Sequence, residues 1–213
     1  MDVLPIIVAA IPVTLGVTAA SFAIGAVLGL ALVAGRRSRW TVVRGLSRSV
    51  VEVLRGIPPI VLLFIIFFGI GSGALRMEPF QAAVIGLGLV SAAHLSEVYR
   101  GSLLAVPKGQ FEAADALGLS RSTTSARVIA PQAFRVAMPG MVTWAISLLK
   151  DSALVSTIGV AEIMSVTNQH ARSSGDGLMP FILAAAVYIA IGTPLAIWSR
   201  WLEKRFARIR KAA

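Results

Sequence analysis

The sequence contains five long stretches that are almost free of charged residues. They are Val3–Gly35, Gly56–Leu75, Pro79–Ser96, Val136–Ala161 and Gly177–Ser199. About 20 apolar residues are needed to cross the roughly 30 Å hydrocarbon core of a bilayer, so each stretch predicts a transmembrane helix. The first has 33 residues, and we interpret it as one long helix whose early part, with Pro5 and Pro12, lies in the membrane interface. Only Lys150 and Asp151 interrupt the fourth.

Positively charged residues are distributed unevenly between these stretches. If the N-terminus is outside, 17 of the 20 Lys and Arg residues fall on the inner side, and only Arg76, Lys150 and Arg172 fall outside. Cytoplasmic segments of membrane proteins are enriched in Lys and Arg. The sequence therefore predicts an outer N-terminus, an inner C-terminus and a basic cytoplasmic tail over about residues 200–213.

Composition supports a membrane protein and limits its partners. Hydrophobic residues make up 56% of the chain and charged residues 14%, against about 25% charged residues in soluble domains. The net charge of +10 is accounted for by topology, so we expect contact with membrane lipid and none with nucleic acid. No cysteine is present, which excludes disulfides and thiolate metal sites. We predict a single all-α membrane domain over residues 1–213.

Catalytic motifs are not found. A phosphate-binding loop needs a lysine after a glycine-rich turn. The lysines are Lys108, Lys150, Lys204 and Lys211, and none follows such a turn. His94 and His170 stand alone, without the spacing of metal ligands. We expect no catalytic residue, metal or cofactor in this chain.

The segment Trp40–Arg55 is amphipathic. Arg44, Arg48, Glu52 and Arg55 share one helical face, while apolar residues share another. We expect a surface helix that leads into the second crossing.

The polar segment of about residues 101–131 lies between the third and fourth crossings. Gln110–Leu117 is predicted to form a short helix, and Gly118 suits the left-handed position that ends one. Ser120 can cap a second helix of about ten residues that ends near Pro131. The alternative to a docking surface is a loop helix that lies flat on its own membrane domain.

This segment resembles the EAA motif of ABC-importer permeases. The matching residues are Glu112, Ala113, Ala114, Gly118 and Pro131, with Val128 and Ala130 where Ile and Leu are usual. In that family the loop is a cytoplasmic coupling helix between helices 3 and 4 that docks into the ATPase.

Three further stretches resemble permeases for polar amino acids. They are Val53–Pro58, then Ser96–Gly101 followed by Val106–Gln110, and then Leu149–Leu154 with the later Glu162. The resemblance covers about residues 10–205. It implies a type I (MetI-like) ABC-importer fold of five transmembrane helices in the bacterial cytoplasmic (inner) membrane.

The resemblance also implies partners and a function. A separate ATPase subunit would bind ATP and Mg, and a second permease subunit, identical or paralogous, would complete the pathway. An external solute-binding protein would deliver a polar amino acid or related zwitterion. The solute stays open among basic, acidic and amide amino acids, opines and ectoine-like compounds.

Polar groups within the crossings are candidates for the solute pathway, because burying them is costly. Lys150 and Asp151 would offer a cation for a carboxylate and an acceptor for an amine, or they pair with a neighbouring helix at the outer mouth. His94 would contact the solute or, as we favour, a neighbouring helix. Glu97 and Arg100, three residues apart, are predicted to form an ion pair.

Glycine pairs within two crossings predict close helix packing. Gly25 and Gly29 form a GxxxG pair in the first crossing, and Gly86 and Gly88 lie in the third. Such residues allow helix backbones to approach closely.

Two alternatives from other classes stay open at this point. One is an ATP-independent, ion-coupled carrier or channel, although such carriers often contain inverted repeats and none is visible here. The other is a non-transporting anchor that recruits a cytoplasmic protein through the same loop.

Overall fold

The computed structural model describes residues 3–72 and 76–211, and the described residues form helices and no strand. The helices are α1 (Val3–Arg36), α2 (Thr41–Gly56), α3 (Pro59–Phe64), α4 (Pro79–Leu104), α5 (Lys108–Ala116), α6 (Arg121–Thr123), α7 (Ala130–Asp151), α8 (Ile163–Ser174) and α9 (Met179–Lys211). The chain also forms wide π-helical turns over Ile65–Ile70 and Thr124–Ile129, and a tighter 3₁₀ segment over Ser152–Ile158. The last two residues of the predicted tail, 212 and 213, lie outside the described residues, as do residues 1–2.

Within the described residues, four helices are long and apolar enough to cross a membrane. They are α1, α4, the continuous helix Arg121–Ile158 and Met179–Phe206 of α9. They match the predicted first, third, fourth and fifth crossings. The start of α1 buries Ile7 and Ala10 against α8 and α9. The interfacial position of this start stays a prediction.

The predicted second crossing differs from the structure. Its helical part, Pro59–Ile70, has 12 residues and is therefore about 18 Å long, well short of the roughly 30 Å hydrocarbon core. It meets α2 at an angle of 104°, and only the two together qualify as a fifth, broken span. The uninterrupted helix predicted from Gly56 is wrong because a residue before proline favours an extended backbone, and Ile57 and Pro58 adopt one. Its predicted end at Leu75 lies outside the described residues.

The predicted amphipathic helix is confirmed as α2, whose only buried residue is Val51.

Helices α1 and α4 form the centre of the bundle, and glycines set their spacing. A Cβ added at Gly25 would collide with Ser91, and one at Gly29 would lie 3.1 Å from the Ala92 carbonyl oxygen. A Cβ at Gly88 would lie 2.9 Å from Ile24. The predicted close packing is therefore confirmed. Apolar side chains from α1, α3, α4 and α7 complete this core, including Val17, Leu63, Leu87 and Leu148.

Helix α8 was not predicted. The chain turns at Gly159, whose φ is +92°, and α8 then runs for 12 residues to Gly175, whose φ is +73°. Ile163 is fully buried in a cluster with Ile7 and Ala184, so α8 fills the space between α1 and α9.

The predicted turn of the polar loop is confirmed, but the predicted end of its second helix is wrong. Gly118 has φ +68°, and the Ser120 hydroxyl accepts the Thr123 N–H at 3.2 Å. The chain then stays helical past Pro131 to Ile158. Pro131 is tolerated because it lies in the first turn of α7, immediately after the widened turn Thr124–Ile129. At this position the missing N–H of proline interrupts no regular series of α-helical hydrogen bonds.

Candidate functional site

Helix α5 presents an exposed edge at its C-terminal end. Glu112, Ala113 and Gly118 are exposed, and Leu117 is 77% exposed, whereas Ala114 is buried at 2%. The N–H of Leu119 donates to the Ala114 carbonyl at 3.0 Å and closes the helix end. A large apolar side chain beside small residues and a carboxylate gives a surface that another protein can cover.

Helix α5 is fixed to the start of α7 rather than hanging from a slack loop. Gln132 donates from Nε2 to the Gln110 side-chain oxygen at 3.0 Å and to the Val128 carbonyl at 2.9 Å. Beneath this bridge, Val106, Ile129 and Ala133 form a buried cluster against which Leu103, Phe111 and Val128 pack. Polar and apolar contacts therefore join α5 to the start of α7.

An ionic cluster joins the ends of α1 and α4. Arg100 donates from Nε and Nη2 to Glu97 Oε2 at 2.9 and 2.7 Å. Arg36, at the end of α1, donates to the other carboxylate oxygen. The Glu97 and Arg36 side chains are 21% and 14% exposed, so this contact is largely removed from solvent. Sequence reasoning missed Arg36, because no local pattern showed that α1 ends beside Glu97.

His94 contacts a neighbouring helix through its ring. It stacks on Trp144 of α7 with ring centroids 3.9 Å apart and planes 11° from parallel. Trp144 Nε1 and the hydroxyls of Ser91 and Ser96 are buried, and none has a hydrogen-bond partner among the described residues. Buried polar atoms without partners are rare. Ser91 lies against Gly25 of α1, so its hydroxyl belongs to the contact of α4 with α1 and not to the His94–Trp144 stack.

Lys150 and Asp151 lie at the end of α7, where the helix tightens into its 3₁₀ segment. Lys150 is exposed and Asp151 is half-buried, and the described residues include no carboxylate within 4 Å of Lys150. Trp144 lies six residues earlier on the same helix, about 9 Å along its axis. The His94–Trp144 stack and the Lys150–Asp151 pair therefore lie at two different positions along the axis of α7 and do not form one cluster.

Glu162, at the turn into α8, is a buried acid to which the sequence analysis assigned no role. It is fully buried and accepts the Ser165 N–H at 2.8 Å and the Tyr188 hydroxyl at 3.0 Å. Burial raises the pKa of this carboxyl group, and these hydrogen bonds act in the opposite direction. The next N–H, of Ile163, donates to the Thr14 hydroxyl at 3.2 Å. Glu162 therefore connects α8 to α9, and its neighbour connects α8 to α1.

Metal-ligand clusters are not seen in the described part of the chain: nowhere do three or more His, Asp or Glu side chains come together.

Comparison with known proteins gives relatives over nearly the whole length. The chain is 35% identical to the probable amino-acid ABC transporter permease protein YckA of Bacillus subtilis, over 95% of this chain and 90% of that protein. It is 38% identical to the L-cystine transport system permease protein TcyB of the same organism, over 96% and 88%. It is 33% identical to the arginine ABC transporter permease protein ArtQ of Haemophilus influenzae, over 99% and 97%.

Solved structures agree. A chain from the crystal structure of an amino acid ABC transporter with histidines matches with a TM-score of 0.89 and 29% identity, over 96% of this chain and 99% of that chain. A chain of the inward-facing MetNI methionine ABC transporter has the same fold, with a TM-score of 0.72, 22% identity and coverage of 100% and 99%. The model of the family described as binding-protein-dependent transport system inner membrane component matches residues 25–208. The chain is therefore a member of that family, a multi-pass permease component of an ABC importer.

Proposed function

We propose that this permease imports a polar amino acid or a related zwitterion, using ATP hydrolysed by a separate cytoplasmic subunit. Permeases for cystine and arginine are among its full-length relatives, which supports the solute class. An external solute-binding protein delivers the solute, and a second permease subunit, identical or paralogous, completes the pathway. ATP and Mg bind the ATPase subunit and not this chain.

The observation that carries the proposal is the exposed edge of α5 together with its attachment to α7. The N-terminus lies outside and the C-terminus inside, which puts α5 and the basic tail on the cytoplasmic face. Glu112, Ala113 and Gly118 form the docking edge for the ATPase. Ala114 packs inward and holds the helix in place, and Pro131 lies where the loop joins α7.

Coupling follows from these contacts. When the ATPase subunits close on ATP, they move α5, and the Gln110–Gln132 bridge and the cluster beneath it carry the movement to α7. Helix α7 carries Trp144, Lys150 and Asp151. A displacement of α7 against α4 therefore changes the access of the solute pathway from one side of the membrane to the other.

The solute pathway in this proposal lies along α7. Lys150 offers a cation for the carboxylate of a zwitterion and Asp151 an acceptor for its amine, at the level where α7 ends. One level deeper, the His94–Trp144 stack offers ring nitrogens and a flat surface. Glu97 and Arg100 take no part, because one oxygen of the Glu97 carboxylate accepts from Arg100 and the other accepts from Arg36.

The test is ATP-dependent uptake of radiolabelled amino acids by proteoliposomes that contain the complete transporter, with Glu112→Lys beside the wild type. We expect uptake to fall at least tenfold in the variant while its membrane domain keeps its thermal stability. Glu52→Lys is the matched control, because Glu52 is an exposed acid on α2. Unchanged uptake in Glu112→Lys would contradict docking through α5. Uptake by the purified chain alone, driven by an ion gradient, would support an ATP-independent carrier instead.

A further inference from the structure

A groove runs between the end of α9 and the start of α7. It has a volume of about 600 Å³ and is lined by Phe134 and Arg135 of α7 and by Trp198, Trp201, Leu202 and Arg205 of α9. Its floor is apolar, because Leu202 is 3% exposed. Its edges are open, with Trp198 and Trp201 46% and 49% exposed. This volume is within the usual range of small-molecule sites, which is roughly 300–1,000 Å³.

Two arginines give the groove an unbalanced positive charge. The Arg205 guanidinium lies 4.9 Å from the centroid of the Trp201 ring, which fixes its position at the edge of the groove. Among the side chains that the structure describes, no carboxylate lies within 4 Å of Arg135 or Arg205. A ligand with a negative group is therefore favoured over a neutral one.

The position of the groove indicates where that ligand comes from. It lies where the apolar stretch of α9 gives way to its charged end, and tryptophans at such a boundary mark the membrane–water interface. The lipid-facing surface beside it is apolar, with Phe134 and Ile197 each 56% exposed. A molecule with a charged head and apolar chains, aligned along the membrane normal, would place its head at the arginines and its chains along the apolar surface.

We infer that this groove binds an anionic phospholipid of the inner leaflet. The lipid phosphate lies between Arg135 and Arg205, and its acyl chains lie along Phe134 and Leu202. Basic pockets between transmembrane helices on the cytoplasmic side are a recognised form of lipid site. The inference depends on the location of the chain in the membrane and on the inner position of the α9 end. It is independent of the solute and of docking through α5.

The experiment is native mass spectrometry of the full-length chain, titrated in detergent with phosphatidylglycerol or with phosphatidylcholine of identical acyl chains. Each cation near the membrane surface contributes roughly a fivefold gain in affinity for an anionic lipid, so two arginines predict a preference of roughly 25-fold. The double variant Arg135→Gln/Arg205→Gln should lose at least tenfold of that preference. The matched control, Arg200→Gln/Lys204→Gln, removes two charges from exposed positions on α9 that do not line the groove.

The outcomes separate the possible occupants. Selectivity for phosphatidylglycerol that falls in the groove variant and persists in the control supports the site, provided that both variants elute as the wild type does in size exclusion. Equal affinity for the two lipids, or equal losses in the two variants, overturns it. Displacement of the bound lipid by inorganic phosphate alone would show a simple anion site and overturn the lipid assignment. Loss of a protein subunit from the groove variant, without a change in lipid selectivity, would show a protein interface and overturn it as well.

Discussion

Removal of the Glu97 carboxylate is expected to destabilise the bundle, because it leaves Arg36 without its ionic partner. The two groups are 21% and 14% exposed, whereas Arg100, the second partner of Glu97, is 43% exposed. Loss of one member of a fully buried pair costs about 3–5 kcal/mol, and an exposed pair contributes at most about 1 kcal/mol. The Glu97–Arg36 contact lies nearer the buried limit, and Arg100 lies nearer the exposed one.

These two limits rank three single variants by the stability that each should lose. We expect Glu97→Gln to lower the free energy of unfolding by about 2–4 kcal/mol and Arg36→Gln by about 1–3 kcal/mol. Arg100→Gln should cost less than about 1 kcal/mol. The double variant Arg36→Gln/Glu97→Gln should cost at least about 1 kcal/mol less than the sum of its single variants, since it leaves no buried charge alone.

The assay is unfolding of the purified chain in SDS, followed by tryptophan fluorescence, for the wild type and all four variants. Arg100→Gln is the matched control, because it removes a guanidinium from the same carboxylate at a more exposed position. The reasoning is refuted if Arg100→Gln costs as much as Arg36→Gln. It is refuted too if the Arg36 and Glu97 changes are simply additive.

Three further predictions concern glycine contacts and the aromatic stack. Gly25→Ala should lower the free energy of unfolding by about 1–3 kcal/mol because its Cβ meets α4. Gly45→Ala, at a position with open space, should instead stabilise α2 by about 0.5–1 kcal/mol. Unfolding in SDS measures both changes, and changes of the same sign would contradict the packing argument. Gly118→Ala should cost about 1–2 kcal/mol because of its left-handed backbone, and a neutral result would contradict the turn assignment. Trp144→Phe keeps a ring on His94 and should preserve most uptake in proteoliposomes, whereas Trp144→Leu should reduce it several-fold; equal uptake would exclude the stack from the pathway.

Features that depend on local chemistry could be predicted from the sequence. The length of the apolar stretches correctly predicted four of the crossings, and the amphipathic spacing of residues predicted α2. The left-handed position of Gly118 and the cap at Ser120 followed from residue preferences within one or two turns. The spacing of Gly25 and Gly29 was enough to predict a close helix contact, although not which helix would make it.

Features that depend on tertiary structure could not be predicted from the sequence. The stretch after Gly56 is apolar throughout, and its 104° bend follows from Pro58 and Pro59, which a count of charges ignores. Helix α8 is too short and too polar to resemble a crossing, and it is held by contacts with α1 and α9. Arg36 and Glu97 are 61 residues apart in the chain, so only the packing of α1 on α4 brings them together.

Mass spectrometry of the proteins that co-purify with the tagged chain in mild detergent tests the central claim most directly. The account predicts that a P-loop ATPase is retained by the wild type and by Glu52→Lys and is lost from Glu112→Lys. A second permease subunit and the membrane domain itself should be recovered equally from all three. Retention of the ATPase by Glu112→Lys, or a wild-type chain that purifies with no ATPase, would contradict coupling through α5.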